Sequence, residues 1–344
     1  MPTKKIRVLV VDDSLLFRTT LTRFLADEKF IDVVGSAGDA YEARDKIIQL
    51  RPDVLSLDVE MPKMNGIQFL KKLMPQYPLP TVIVSSAPIM AFEALDAGAV
   101  EFVRKPSVKT TKDIEAFAVE LRGKIITASH AKVRKTIVKP DILSTKSSIS
   151  SKTDQNIVIA LGASTGGTEA LQTVLTQMPE NSPPIVIVQH MPPVFTQMFA
   201  ERLNRLCALN ITEAKDRDRL KRGHVLIAPG DYQMTLAIDS AGYYVKVASG
   251  EKVSGHCPSV DVLFSSVALT AKKNAVGVIM TGMGADGAEG LLKMHNAGAY
   301  TIGQDKESCV VYGMPMVAHK LGACTIQAPL DRISAEICRH ISER

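Results

Sequence analysis

The sequence predicts an α/β protein of two domains in series, each built on a mostly parallel sheet. Three observations predict it. The 344 residues exceed what one hydrophobic core usually serves. Short β-branched apolar runs alternate with segments of helical period, the pattern of a parallel sheet covered on both faces. Between two such series, residues 124–153 are basic, rich in Ser and Thr and free of Phe, Tyr and Trp, which is the composition of a flexible tether. The expected domains are therefore 1–123 and 154–344, joined by that linker.

In the first series the strands are IRVLVVD, IDVVGSA, VLSLDV, TVIVSS and EFVRKP, interleaved with helical patterns such as LLFRTTLTRFLAD, AYEARDKIIQL and MAFEALDAG. This is a flavodoxin-like five-stranded order, and ligands of such sheets bind at the carboxyl ends of the strands. Asp12 and Asp13 close the first strand and Asp58 the third, so three carboxylates converge on one crevice. Like charges that close repel unless a cation neutralises them, and a hard, oxygen-preferring Mg²⁺ fits while leaving one carboxylate as a nucleophile toward phosphorus. Ser85 ends the fourth strand as a hydrogen-bond donor, and Lys105, before Pro106, ends the fifth as a positive charge.

The second series opens on NIVIALGASTGGTEAL, an apolar strand running into a glycine-rich turn and a helix. Ser164 then sits in a G-x-S-x-G turn of strand-to-helix type, where flanking glycines permit unusual backbone angles and the helix N-terminus favours developing negative charge. A phosphate-binding loop and a plain helix cap by Ser164 or Thr165 are the bland alternatives. A dinucleotide loop is disfavoured by a Ser in the middle glycine position, and a nucleoside-triphosphate loop by the lack of its lysine. A serine nucleophile requires a base and an orienting carboxylate. His190 ends the strand PIVIVQH, and Asp286 lies in TGMGADG after the strand AVGVIM, so both emerge on the Ser164 edge. Thr165 and Met283 belong to the substrate and oxyanion loops, with the Met283 N–H foremost for an oxyanion. The order Ser, His, Asp differs from that of ordinary α/β-hydrolases, but geometry rather than order defines a triad. His256, in a polar turn, is the main rival to His190. His224 starts a strand, His295, His319 and His340 lie in helices, and His130 falls in the linker. Asp231 and Asp261 are alternative orienters.

Composition narrows the function classes. The net charge of +5 equals the excess in 125–153, where six Lys and Arg face Asp141 alone, so the folded parts present no basic face and nucleic acid is not an expected partner. Five scattered cysteines without C-x-x-C spacing indicate neither zinc nor a disulfide framework, and a cytoplasmic setting is expected. No apolar run spans a bilayer, so no membrane insertion is expected, and a monomer is the default.

With Asp12-Asp13, Asp58 in LDVEMPKMNG, Ser85 and Lys105-Pro106, the first domain resembles a two-component response-regulator receiver. The resemblance implies a histidine kinase as phosphodonor, Asp58 as acceptor, and Mg²⁺ held by Asp13, Asp58 and the Glu60 carbonyl with Asp12 supporting. It also implies Phe102 as the aromatic that reorients with Ser85. The second domain, through LGASTGGTEAL, VIVQHMPPVFT, GHVLIAPGD, PSVDVLF, NAVGVIMTGMGADG and SCVVYGMP, resembles the catalytic domain of the chemotaxis protein-glutamate methylesterase (CheB) family. This implies a serine hydrolase, without cofactor, that demethylates glutamate γ-methyl esters on chemoreceptors, deamidates certain receptor glutamines, and is switched by the receiver packing over its cleft. The family pattern departs at Cys257, where an Arg is usual. A receptor adaptor without catalysis and a DNA-binding regulator are the alternatives from other classes.

Overall fold

The computed structural model describes residues 4–26, 29–106, 111–133 and 156–344. The chain divides into two compact units, Met1–Lys139 and Pro140–Arg344.

In the first unit strands and helices alternate: β1 (Ile6–Val11), α1 (Leu15–Ala26), β2 (Ile31–Ala37), α2 (Ala40–Leu50), β3 (Val54–Asp58), α3 (Gly66–Leu73), β4 (Thr81–Ser85), α4 (Pro88–Asp96), β5 (Glu101–Arg104) and α5 (Thr111–Ser129). The sheet order is β2-β1-β3-β4-β5 and every pairing is parallel. Helices on both faces leave β3 and β4 buried along their whole length, which is why they read as continuous apolar runs rather than alternations. Local chemistry sets the helix starts. Asp39 caps α2 by accepting from the Tyr41 and Glu42 N–H groups, and Asn65 caps α3 in a reciprocal box with Gln68.

The boundary expected at residue 123 falls inside α5. Leu121, Ile125 and Ala128 are all buried and spaced as one helical stripe, so the apolar face carries the helix on to Ser129. His130, placed in the linker by sequence, closes that helix with its Nδ1 2.8 Å from the Ile126 carbonyl. The remainder of the expected linker, 134–153, lies outside the described residues.

The second unit contains β6 (Val158–Ala163), α6 (Gly167–Thr176), β7 (Ile185–Gln189), α7 (Phe195–Leu206), β8 (Asn210–Glu213), β9 (His224–Ile227), β10 (Tyr232–Asp239), β11 (Gly242–Ser249) and α8 (Val260–Thr270). It continues through β12 (Ala275–Ile279), α9 (Ala288–Asn296), β13 (Tyr300–Gln304), α10 (Met314–Lys320), β14 (Ile326–Ala328) and α11 (Ile333–Ser342). Seven strands form a parallel sheet in the order β14-β13-β12-β6-β7-β9-β8, while β10 and β11 make a separate antiparallel ribbon. From β6 the chain winds outward one way through β7, and from β12 it winds the other way through β13. The carboxyl ends of β6 and β12 therefore flank a switch point, where such sheets open a crevice.

Helix α8 fills the space between the sheet and the ribbon. Its Val260, Leu263, Phe264 and Val267 share one cluster with Val158, Ala160, Val186 and Val188 of the sheet and Met234, Leu236 and Val245 of the ribbon. Phe264 is fully buried and abuts Gly162 on β6 and Gly290 on α9. Phe264→Ala should cost about 3–5 kcal/mol of stability, because neighbours pinned to a sheet cannot collapse into the void. Denaturant unfolding should show a lower midpoint at an unchanged slope.

Candidate functional site

Ser164 follows the last residue of β6, the strand between β12 and β7. The turn behind it is tight: Gly167 N–H donates to the Ser164 carbonyl at 2.7 Å, and Gly166 takes a left-handed φ of 75° that admits the chain into α6. Backbone bonds lock this corner to both neighbours. The Ser164 N–H donates to the Thr281 carbonyl beyond β12 at 3.0 Å, and the His190 N–H beyond β7 donates to the Ala163 carbonyl at 3.2 Å. Gln189, buried at the end of β7, adds a side-chain bond from Nε2 to the Ser164 carbonyl at 2.9 Å. Three strand ends are thus tied together before any side chain acts.

His190 and Asp286 meet across this edge. The imidazole Nε2 lies 2.7 Å from Asp286 Oδ2, and both side chains are nearly inaccessible, at 5% and 2% exposure. With Nε2–H committed to the carboxylate, Nδ1 carries the lone pair, and among the described residues it has no hydrogen-bond partner. An imidazole so held has one basic nitrogen to offer.

Asp286 is also anchored by the start of α8. Ser259 Oγ donates to Oδ1 at 2.7 Å, the Val260 N–H to Oδ2 at 2.8 Å and the Asp261 N–H to Oδ1 at 3.1 Å. Ser259 is the N-cap of α8, so the carboxylate sits on a helix N-terminus, where backbone donors and dipole favour negative charge. Burial pushes this carboxyl up. The His190 bond and charge, the Ser259 hydroxyl and the Asp261 N–H more than offset burial and hold it at about 2. Its stabilising contribution is therefore present above the ordinary carboxylate value of 3.8 and is lost as pH falls through about 2.

The oxyanion side is shaped by close approach. A side chain at Gly282 would meet Ser164 Cβ at 2.7 Å, so only glycine lets this loop lie against the serine. Met283 follows at the rim, 38% exposed. Thr165 is buried, its carbonyl accepting from Thr281 Oγ1 at 2.9 Å.

The first unit brings its acidic residues together as the sequence implies. Asp12, Asp13 and Asp58 offer carboxylate oxygens within 4.8 Å of one another, a donor set suited to a hard divalent cation. Lys105 Nζ is 2.6 Å from both Asp12 Oδ2 and Asp58 Oδ2, an ion-paired arrangement that its place on the fifth strand alone did not reveal. Burial raises Asp58, the Lys105 bond opposes that, and the Asp12 charge adds to it, leaving the carboxyl at about 6. Phe17 lies beside the ammonium, 4.7 Å from ring centroid to Nζ. Ser85 is buried, its Oγ accepting from the Ala87 N–H at 3.1 Å, and Phe102 is buried against Phe92. Glu60 donates its N–H to Asp58 Oδ1 at 3.1 Å and accepts from Ser86 through its side chain. A side chain at Gly66 would strike the Asp58 carbonyl at 2.3 Å, so this glycine lets α3 begin against the acceptor strand.

Of the rival residues, Asp261 turns its carboxylate to the Gly290 N–H at 2.7 Å and gives its own N–H to Asp286 Oδ1 at 3.1 Å. Asp231 is exposed, and its N–H donates to the Cys257 carbonyl at 3.2 Å. His224, His295, His319 and His340 lie in β9, α9, α10 and α11. His256, by contrast, stacks on His190. Cys257 directs its Sγ toward the Gly250 carbonyl at 3.8 Å. Sequence reading did not select Ser259 or Gln189. The cap signal at PSVD was visible, but nothing local says that the capped helix end receives Asp286.

Comparison with known proteins shows which families the sequence matches. The sequence matches the CheB methylesterase family over residues 159–337 and the response regulator receiver domain family over residues 8–115. A protein of Syntrophomonas wolfei named protein-glutamate methylesterase/protein-glutamine glutaminase 2 is 51% identical over 343 residues, covering 100% of both chains. A Pseudomonas aeruginosa protein of the same name is 46% identical over 343 residues, 98% of each chain. The crystal structure of the Thermotoga maritima CheB methylesterase catalytic domain superposes with a TM-score of 0.53 at 35% identity, covering 54% of this chain and 98% of that one.

Two outcomes are expected. Ser259→Ala removes a donor from a buried carboxylate and a cap from α8; stability should fall by about 1 kcal/mol, and any turnover that depends on His190 by at least ten-fold. Thermal melts and steady-state rates measure both. Added Mg²⁺ should raise the melting midpoint of the first unit, and Asp13→Asn should abolish the rise. Because protons compete for Asp58, the Mg²⁺ effect should shrink as pH is lowered through about 6.

Proposed function

Because the chain belongs to the CheB methylesterase family and carries a receiver domain ahead of the catalytic one, we propose that it hydrolyses glutamate γ-methyl esters on chemoreceptors under phosphorylation control. The observation that carries this reading is the buried pair of His190 and Asp286 at 2.7 Å, one strand to either side of Ser164.

In this reading Ser164 Oγ attacks the ester carbonyl carbon while its proton passes to His190 Nδ1. Asp286 holds the imidazole in the tautomer that exposes Nδ1 and stabilises the imidazolium. The oxyanion faces the loop at Met283, with Thr165 lining the other side. The tetrahedral intermediate collapses, methanol leaves with the proton from His190, and an acyl-enzyme remains. Water then attacks that ester, gives its proton to His190, and releases the glutamate carboxylate and Ser164. A glutamine side chain follows the same course with ammonia as leaving group, in keeping with the glutaminase half of the relatives' names. No cofactor is needed for these steps.

For the receiver we propose Asp58 as phosphoryl acceptor, with a histidine kinase as donor. The Asp12, Asp13 and Asp58 oxygens fit Mg²⁺, which Asp13, Asp58 and the Glu60 carbonyl would hold with Asp12 in support. Bound there, the ion supplies positive charge against the incoming phosphoryl oxygens. Lys105 is charged and close enough to pair with the phosphoryl, Ser85 supplies a hydroxyl at the next strand end, and Phe102 reorients with it. The proposed domains are a receiver, the tether beyond α5, and a catalytic domain from 154, acting as a monomer in the cytoplasm, where five free thiols are at home. Among the described residues no helix is long and apolar enough to cross a membrane.

The test is turnover of methyl-esterified receptor. Ser164→Ala should abolish methanol release while Asp58 still takes up phosphate from a small phosphodonor. Retained release refutes the nucleophile. A fragment beginning at Asp154 should outpace the unphosphorylated full chain, and equal rates refute inhibition by the receiver.

A further inference from the structure

His190 is held along its edge by Asp286 and across its face by a second imidazole. The His256 ring lies flat on it, with centroids 3.7 Å apart and an interplanar angle of 8°. The support of His256 is unusually firm for a loop residue. Val253 and His256 exchange two backbone hydrogen bonds, of 3.0 and 2.9 Å, around Ser254 and Gly255. Those two residues have φ of 52° and 83°, the left-handed pair of a two-residue hairpin turn. Gln233 braces the same segment from β10: its Oε1 accepts from the Ser259 N–H at 2.9 Å and its Nε2 reaches the His256 carbonyl at 3.5 Å. The stretch from His256 to Ser259 therefore presents a ring to the catalytic base at one end and a hydroxyl to its carboxylate at the other.

We propose that His256 is a positioning residue for ester hydrolysis, fixing the plane of His190 and with it the direction of Nδ1, the nitrogen that Asp286 leaves open to take the serine proton. The inference rests on Ser164, His190 and Asp286 being the reacting set. An imidazole hydrogen-bonded through one nitrogen still rocks about that bond, and a tilt swings the other nitrogen off the nucleophile. A flat ring against its face removes that freedom without occupying either nitrogen. The same contact suits the chemistry, because the imidazolium formed when His190 takes the serine proton then lies over a polarisable π-face. His256 acts through His190 and not on the substrate.

Full-length protein with methyl-esterified receptor tests this, using His256→Ala to remove the ring and His256→Phe to keep a flat one. The Ala variant should lose roughly ten- to a hundred-fold in kcat with KM within about two-fold, since misplacing a catalytic group slows chemistry without weakening binding. The Phe variant should recover to within about three-fold of wild type, because a ring of similar shape restores the stack. In carbon-edited NMR spectra, the His190 ring protons should shift downfield in the Ala variant, which loses the ring current, and remain upfield in the Phe variant. The proposal is overturned by a kcat in the Ala variant within about two-fold of wild type, by a rise in KM at unchanged kcat, or by equal impairment of Ala and Phe. Should His256→Ala not fold, His256→Gln takes its place with the same expectations. If wild type and Ser164→Ala prove equally inactive, the esterase reading fails, and the NMR shift alone decides whether His256 holds the His190 ring.

Discussion

A buried carboxylate has to be surrounded by donors, and Asp286 is the group around which the catalytic domain is organised. Its two oxygens accept from His190, from the Ser259 hydroxyl and from the first backbone N–H groups of α8. Lone ions in a protein interior carry a large desolvation penalty, and this one is offset by His190 together with the helix N-terminus that converges on it. The position of α8 follows, and with it the packing of Phe264 between sheet and ribbon. Moving α8 would expose a charge, unstack the base and open the core together.

The receiver uses the same electrostatics in the opposite sense. Asp58 is buried beside Asp12, and Lys105 bridges the two without saturating them, so the acceptor stays proton-hungry at about 6 where Asp286 is pinned near 2. The difference matches the tasks. Asp286 has to stay ionised and immobile through a proton-transfer cycle, whereas Asp58 gains by trading neighbours for a cation and a phosphoryl group. Undersatisfied charge of this kind costs stability and keeps the site ready to bind.

Close backbone approach is the second device common to both sites. Gly282 lies against Ser164 and Gly66 against the Asp58 carbonyl, in each case at a distance that a methyl group would violate. Both glycines bring a loop or a helix start to the carboxyl edge of a parallel sheet. The active edges thus owe their shape to missing side chains as much as to the reactive ones.

How much of this was legible in the sequence follows from the range of each interaction. The alternation of apolar runs and helical periods determined the two α/β sheets, and the placement of Asp58, Lys105, Ser164, His190 and Asp286 at strand ends determined the candidate sites. Those signals are local, because a parallel sheet turns position along a strand into position at an edge. Tertiary structure alone decided what each group touches. The partners His190 and Asp286 stand 96 residues apart, and no local pattern states that Nε2 is the committed nitrogen, that the α8 cap receives the carboxylate, or that His256 covers the ring. The extension of α5 to Ser129 was hidden for the same reason: a buried stripe continued through a segment whose composition resembles a tether. Residue types and their order set which chemistry is available, while the convergence of distant strands and one helix end set where its charges and protons reside.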